Sequence, residues 1–316
     1  MSRGPYTRAT VAAMCLLMAA SLSAQSRIDC SAIKSQILDR SFRYCVYLPS
    51  GYDESANEHP PRRYPVLYFL HGLGDNEQTL FNTGGWTLLD DLRRHGKMGD
   101  FLIVAPDGRR SFYVNSADGS VRYSDFFLHE FMPQIERKYR IRPGRAARAI
   151  SGVSMGGYGA LRFAFAEPEL FSAVSAQAPA LITQSPRELD AASSGGAQLT
   201  GVLGPVFGSP IGAPANARHW AENSPFLLAR KHAGALHSLA IYFNCGQNDN
   251  YGFEKGAAQL DAELNNEGIR HEYHAYPGDH SLTYFLSHFE EVMEFHSRLF
   301  GFRPNANSPS PAAPSR

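Results

Sequence analysis

The chain has 316 residues, 43% of them hydrophobic and 19% charged, and its formal net charge is +0. That length and apolar content are enough for one large domain with a sizeable core. A neutral balance without a basic run gives no electrostatic basis for binding nucleic acid or an anionic membrane, so partners are expected to be small or uncharged.

The N-terminus reads as an export signal. Arg3 and Arg8 precede an apolar stretch over 9–20, and small residues follow at Ser21, Ser23 and Ala24. That order of charged, apolar and small residues is a secretory leader, with cleavage expected near Ala24. The apolar run is shorter than the roughly 20 residues of a membrane-spanning helix. Cleavage leaves 292 residues and removes two arginines and no acid, for a formal charge of −2. The mature chain is expected to be secreted or periplasmic, with no membrane association. Of its three cysteines, Cys30 and Cys45 are candidates for a disulfide, although the strand-turn-strand pattern between them does not by itself set them face to face. Cys245 ends an apolar strand and is expected to be a buried, inert thiol. No C-x-x-C spacing is present, so neither a metal nor a cofactor is called for.

Two strand-like stretches, 33–38 and 42–48, flank a polar turn at Asp39 and Arg40 and predict an antiparallel hairpin. Short, wholly apolar runs follow at 66–70, 101–105, 148–152, 171–175 and 239–243. Runs of that kind suit parallel strands buried on both faces. A last strand over 270–276 alternates more and is assigned to an edge. Helical periodicity marks 123–139, where Phe127, Phe131 and Ile135 recur every fourth residue, and also 253–266 and 282–300. His296 falls on the apolar stripe of the last helix and is read as a core histidine. The alternation of strands and helices predicts an α/β domain over 25–302, with a mostly parallel sheet and helices on both faces. Residues 177–235, rich in Pro, Gly, Ser and Ala, are expected to form a lid-like excursion, and 303–316 a disordered tail.

The sharpest chemical signal is Gly152-Val153-Ser154-Met155-Gly156, between an apolar strand and a helix rich in small residues. A serine flanked by glycines at this spacing forms a nucleophile elbow, a tight strand-to-helix turn that presents the hydroxyl. Such a hydroxyl needs an imidazole base and an acid to orient it, in the chain order serine, acid, histidine. His280 follows the 270–276 strand in a loop, whereas His271 and His274 lie in that strand and His288 and His296 in the last helix. Asp249 follows the 239–243 strand and is chosen as the acid. Asp279, adjacent to His280, and Asp107, upstream of the serine, read as turn formers. Oxyanion donors are assigned to the backbone N–H of Met155, at a helix start, and of Leu73 in His71-Gly72-Leu73-Gly74, with Gly72 in reserve. His71 is read as bracing that loop.

Six segments, LYFLHGLGDNE, VAPDGRRSFYVNS, YSDFFLHEFMPQIERKYR, ISGVSMGGYGALRFAFAEPELFSAVSA, NCGQNDNY and YHAYPGDHSLTYF, cover most of residues 64–290. In these the chain resembles the esterase D/antigen 85-type family of serine α/β-hydrolases, which includes feruloyl and acetyl esterases, tributyrin esterases and mycolyltransferases. The resemblance implies a triad of Ser154, Asp249 and His280, with Leu73 and Met155 supplying the oxyanion N–H groups. It implies a serine carboxylesterase acting on small acyl or carbohydrate esters, with mycolyl-type acyl transfer or a peptidase on the same fold as alternatives. S-formylglutathione hydrolases resemble this family too, but act in the cytosol, against which the leader argues. The family often carries a bulky aromatic soon after its histidine; here the run is His280-Ser281-Leu282-Thr283-Tyr284-Phe285. Trp86, Phe112, Tyr113 and Tyr158 are candidates for the pocket wall, with ordinary packing as the alternative for each.

Overall fold

The computed structural model describes residues 25–191 and 195–303. The leader, at 1–24, and the tail from 304 onward lie outside the described residues. Eight strands form one sheet: β1 (Arg27–Ser35), β2 (Arg40–Leu48), β3 (Val66–Leu70), β4 (Leu102–Pro106), β5 (Arg148–Val153), β6 (Ala173–Gln177), β7 (Ala240–Gly246) and β8 (Glu272–Tyr276). Their spatial order is β1-β2-β4-β3-β5-β6-β7-β8. β2 runs antiparallel to both β1 and β4, and every pairing from β4 to β8 is parallel.

The apolar runs form strands because both faces of the sheet are covered. All five side chains of β3 are buried: Val66, Tyr68 and Leu70 point into one core, and Leu67 and Phe69 into the other, as the two-residue repeat of a strand requires. The first core packs under α1 (Met155–Ala166), α2 (Phe253–Asn266) and the 123–139 region, where Phe127 stacks on Phe163 at 4.6 Å. The second lies under Trp86–Arg94 and the C-terminal helix.

Three expectations change. β1 starts at Arg27, six residues before the predicted strand, because its outer half is exposed and lacks apolar alternation. In its register Cys30 pairs with Cys45, with Cα atoms 4.1 Å apart, and the two are joined by a disulfide. The periodic stretch 282–300 is two helices, α3 (Leu282–Ser287) and α4 (Phe289–Leu299), divided at His288 (φ −107°, ψ 11°). A single apolar stripe survives such a break when both pieces pack on the same core. The excursion after β6 is largely helical, with Pro186–Ala191, Gly195–Phe207, Pro214–Glu222, Pro225–Lys231 and Ala233–Leu236. A proline in the first turn starts three of these helices, which blurs the periodicity across the region.

The strand order places the site. From β3 the chain moves to β4 on one side and then crosses to β5 on the other. The loops after β3 and β5 therefore part in opposite directions at their C-terminal ends and leave a crevice, the usual ligand site of such sheets.

Candidate active site

Ser154 is the first residue after β5, with φ 54° and ψ −118°. For a side-chain-bearing residue that is a strained conformation, and it lasts only where the surroundings over-determine it. Here the Ser154 N–H donates to Gln177 O at 2.9 Å, and its carbonyl accepts from Tyr158 N and Ala180 N, each at 3.0 Å. The glycines of the motif let the backbones approach. A Cβ on Gly152 would lie 2.3 Å from the Gly156 carbonyl, and one on Gly156 would lie 1.9 Å from Leu70 O. α1 can therefore start directly on top of β3 and β5.

Three of the residues singled out in the sequence meet above this turn. His280 Nε2 is 2.9 Å from Ser154 Oγ, and His280 Nδ1 is 2.6 Å from Asp249 Oδ2. The two loops that carry His280 and Asp249 are tied together, since Gln247 N donates to Tyr276 O and Asn248 N to Gly278 O. The Asp249 side chain is fully buried. Burial pushes its carboxyl up, but the hydrogen bond and charge of His280, with the backbone N–H groups of Tyr251 and Phe253, outweigh it and hold the carboxyl below its usual range. Asp249 is thus an anion aimed at Nδ1, which leaves Nε2 free to face the serine.

The other candidates fall into place around this relay. Asp279 Oδ1 accepts from the Ser281 hydroxyl, and Asp107 Oδ1 accepts from Arg109 N at 3.0 Å, so both serve turns. His296 is buried in the core, its Nε2 2.8 Å from Ser175 Oγ. His71 braces its loop: Nε2 accepts from Gly108 N at 2.8 Å, so the proton is on Nδ1, which donates to Gly72 O at 2.8 Å. Tyr113 adds a hydrogen bond from its hydroxyl to His71 O.

A cavity of about 650 Å³ opens over Ser154 and His280, and Gly72, Leu73 and Met155 are in its wall. Of the four aromatic candidates, only Phe112 lines it. Tyr158 lines a small inner void instead, its hydroxyl bonded to Asn223 O. Tyr113 is fully buried behind His71. Trp86 lies elsewhere, its indole N–H donating to Ser26 Oγ at 2.8 Å. Aromatic content alone cannot tell a wall from a core, and each of these three rings found a packing partner first.

Sequence reasoning passed over the rings that surround the imidazole. Tyr251, Phe253 and Phe285 stand nearly edge-on to His280, with centroids 4.9, 5.4 and 5.2 Å away. Tyr251 was within reach of the motif, two residues after Asp249, whose Oδ1 accepts its N–H at 2.9 Å. Cys245 is buried, as expected from the sequence, and its Sγ lies 3.7 Å from Asp249 Oδ2. Among the described residues no group of three or more His, Cys, Asp or Glu could hold a metal ion, and no helix is long and apolar enough to cross a membrane.

Against known proteins, residues 35–296 match the family model described as "Putative esterase". The chain belongs to this esterase family. It is 30% identical over 252 residues to the esterase Rv1288 of Mycobacterium tuberculosis, covering 74% of this chain and 51% of that protein. The chain thus spans about half the length of that curated relative. A bifunctional endo-1,4-beta-xylanase/feruloyl esterase of Xylanibacter ruminicola is 31% identical over 130 residues, 40% of this chain and 18% of that one. Among solved structures, a ferulic acid esterase superposes with a TM-score of 0.72 at 24% identity, covering 87% of this chain and 99% of that chain. Its likeness extends over nearly the whole of both and shows the α/β-hydrolase fold.

Proposed function

We propose that this protein is a serine carboxylic-ester hydrolase that works through an acyl-enzyme on Ser154. The observation that carries the reading is the continuous relay from Asp249 Oδ2 through His280 to Ser154 Oγ, with contacts of 2.6 and 2.9 Å. In it His280 Nε2 takes the serine proton as Oγ bonds to the ester carbon, and Asp249 orients and stabilises the imidazolium. The same proton then passes to the alcohol oxygen as the ester C–O bond breaks. Water, activated by His280, repeats the sequence on the acyl-enzyme and releases the acid. The N–H groups of Leu73 and Met155, on the cavity wall beside Ser154, serve as oxyanion donors.

The substrates of this reading are small acyl or carbohydrate esters of the acetyl or feruloyl type. Feruloyl esterase activity is named for one relative, and a cavity of this size accepts a sugar or cinnamoyl unit. Export through the 1–24 leader is part of the proposal, and the Cys30–Cys45 disulfide supports it, because such bonds persist in oxidising compartments.

The test is a panel of p-nitrophenyl acyl esters and of feruloylated and acetylated sugars, run on wild type and Ser154→Ala. The variant is expected to fold and to lose several orders of magnitude in turnover. A fluorophosphonate is expected to label wild type once, at Ser154. Undiminished turnover by the variant, or labelling elsewhere, overturns the reading.

A further inference from the structure

We propose that the alcohol portion of the preferred ester is an anionic ring, stacked on Tyr251 and held by the positive charges of Lys255 and Arg110. This inference rests on the ester-hydrolase reading above and names the substrate class of the same site.

The chemistry tells which side of the cavity the alcohol occupies. The proton that His280 removes from Ser154 is handed to the departing alcohol oxygen, so the groups packed around His280 are those that touch the alcohol. Chief among them is Tyr251. Its ring stands against the imidazole at 4.9 Å, and one side of it rests on Phe253, nearly parallel at 5.5 Å. Yet Tyr251 is 70% exposed, while the other exposed large apolar side chains among the described residues lie between 37% and 49%. Its backbone is fixed by the hydrogen bond to Asp249. A rigid aromatic face left open beside the proton donor is a platform for a ring.

The charge on the cavity wall is unbalanced. Lys255, in the first turn of α2 and four residues from Tyr251, lines the cavity, as does Arg110 from the loop after β4. Both are exposed, and among the described residues neither forms an ion pair. The undescribed segments contain no Asp or Glu to provide one. The single carboxylate on the wall, Asp75, is exposed and forms an ion pair with neither cation, so two positive charges on the wall face one negative charge. Two unpaired cations around an aromatic platform suit a carboxylated ring of the uronosyl type better than an uncharged sugar. Such a ring would meet the stacking surface and the charge of the same loop and helix at once.

The experiment compares methyl galacturonoside and methyl galactoside, each bearing the same single feruloyl ester, on wild type, Tyr251→Ala and the Lys255→Gln/Arg110→Gln double variant. Wild type is expected to favour the charged ring about five- to tenfold in kcat/KM at low salt, the size that two exposed ion pairs give. About 0.5 M salt should erase most of that preference. The double variant is expected to bring the ratio of the two substrates close to one, and Tyr251→Ala to raise KM for both rings together. A wild-type ratio of one, or a ratio unchanged in the double variant, overturns the anionic-ring assignment while ester hydrolysis itself stands. If neither sugar ester nor p-nitrophenyl acetate is turned over and Ser154 takes no fluorophosphonate, the hydrolase reading fails and this inference with it.

Discussion

His71 donates from Nδ1 to the carbonyl oxygen of Gly72 at 2.8 Å, and this contact controls the N–H of the next residue. The Gly72–Leu73 peptide is planar and trans, so a carbonyl turned toward His71 turns the Leu73 N–H the opposite way. Asp75 N holds the same carbonyl at 3.2 Å. A histidine that touches no substrate thus positions one of the two proposed oxyanion donors. His71→Ala is expected to lower kcat for p-nitrophenyl acetate about ten- to a hundredfold, with KM changed much less, because the loss falls on the transition state. An equal loss in kcat and gain in KM, or a Tm drop that accounts for the lost activity, would show that His71 only holds the loop together.

Asp249 and Asp279 are separated by one experiment. Asp249→Asn removes the buried anion at Nδ1, favours the wrong tautomer of His280, and should reduce kcat by up to about ten-thousandfold. Asp279→Asn should cost little, since an asparagine can also accept from Ser281. The reverse ranking in steady-state kinetics would displace Asp249 from its role.

The buried histidine of α4 makes the fold sensitive to acid. Burial holds His296 down to about 3, with the Arg298 charge adding to the effect. Its Nδ1 has no hydrogen-bond partner among the described residues. Between that value and the ordinary one near 6.5, the unfolded chain binds a proton that the native state refuses. Stability is therefore full above about pH 6.5 and is lost as pH falls, by roughly 1.4 kcal/mol per unit. At pH 4.5 the loss is about 2–3 kcal/mol. Urea unfolding of wild type and His296→Gln at pH 7 and pH 4.5 checks this. Whatever its stability at pH 7, the variant should lose less between the two pH values, and parallel losses would contradict the assignment.

The Cys30–Cys45 disulfide closes a hairpin of sequence separation 15. Closing a loop of that size can contribute up to about 3 kcal/mol. The pairing of β1 with β2 already holds much of that loop, so the Cys30→Ala/Cys45→Ala variant is expected to lose less, about 1–2 kcal/mol. Activity at 25 °C should persist, because the hairpin lies at the far edge of the sheet from Ser154. A thermal melt of the variant beside wild type, in the absence of reductant, gives the measurement.

Local sequence determined those parts of the protein in which neighbours along the chain do the physical work. Continuous apolar runs can be buried only between two layers of helix, so Val66–Leu70 and the strands beside it were legible as an enclosed parallel sheet. The Gly152-Val153-Ser154-Met155-Gly156 turn was legible because no other residue than glycine clears the backbones at its ends. His280 and Asp249 followed from their loop positions after two such strands. What lies far apart in the sequence was decided by tertiary structure. Cys30 and Cys45 face each other only through the register of β1 on β2, which periodicity does not encode when the outer strand is exposed. Trp86, Tyr113 and Tyr158 could not be told from cavity-lining rings, because a ring's burial depends on which distant hydrogen-bond acceptor or neighbouring ring reaches it first. Tyr251 carries no periodic signal at all. Its place beside His280 exists because Asp249 anchors its backbone while the loops after β7 and β8, about 30 residues apart, are tied together, and only folding does that.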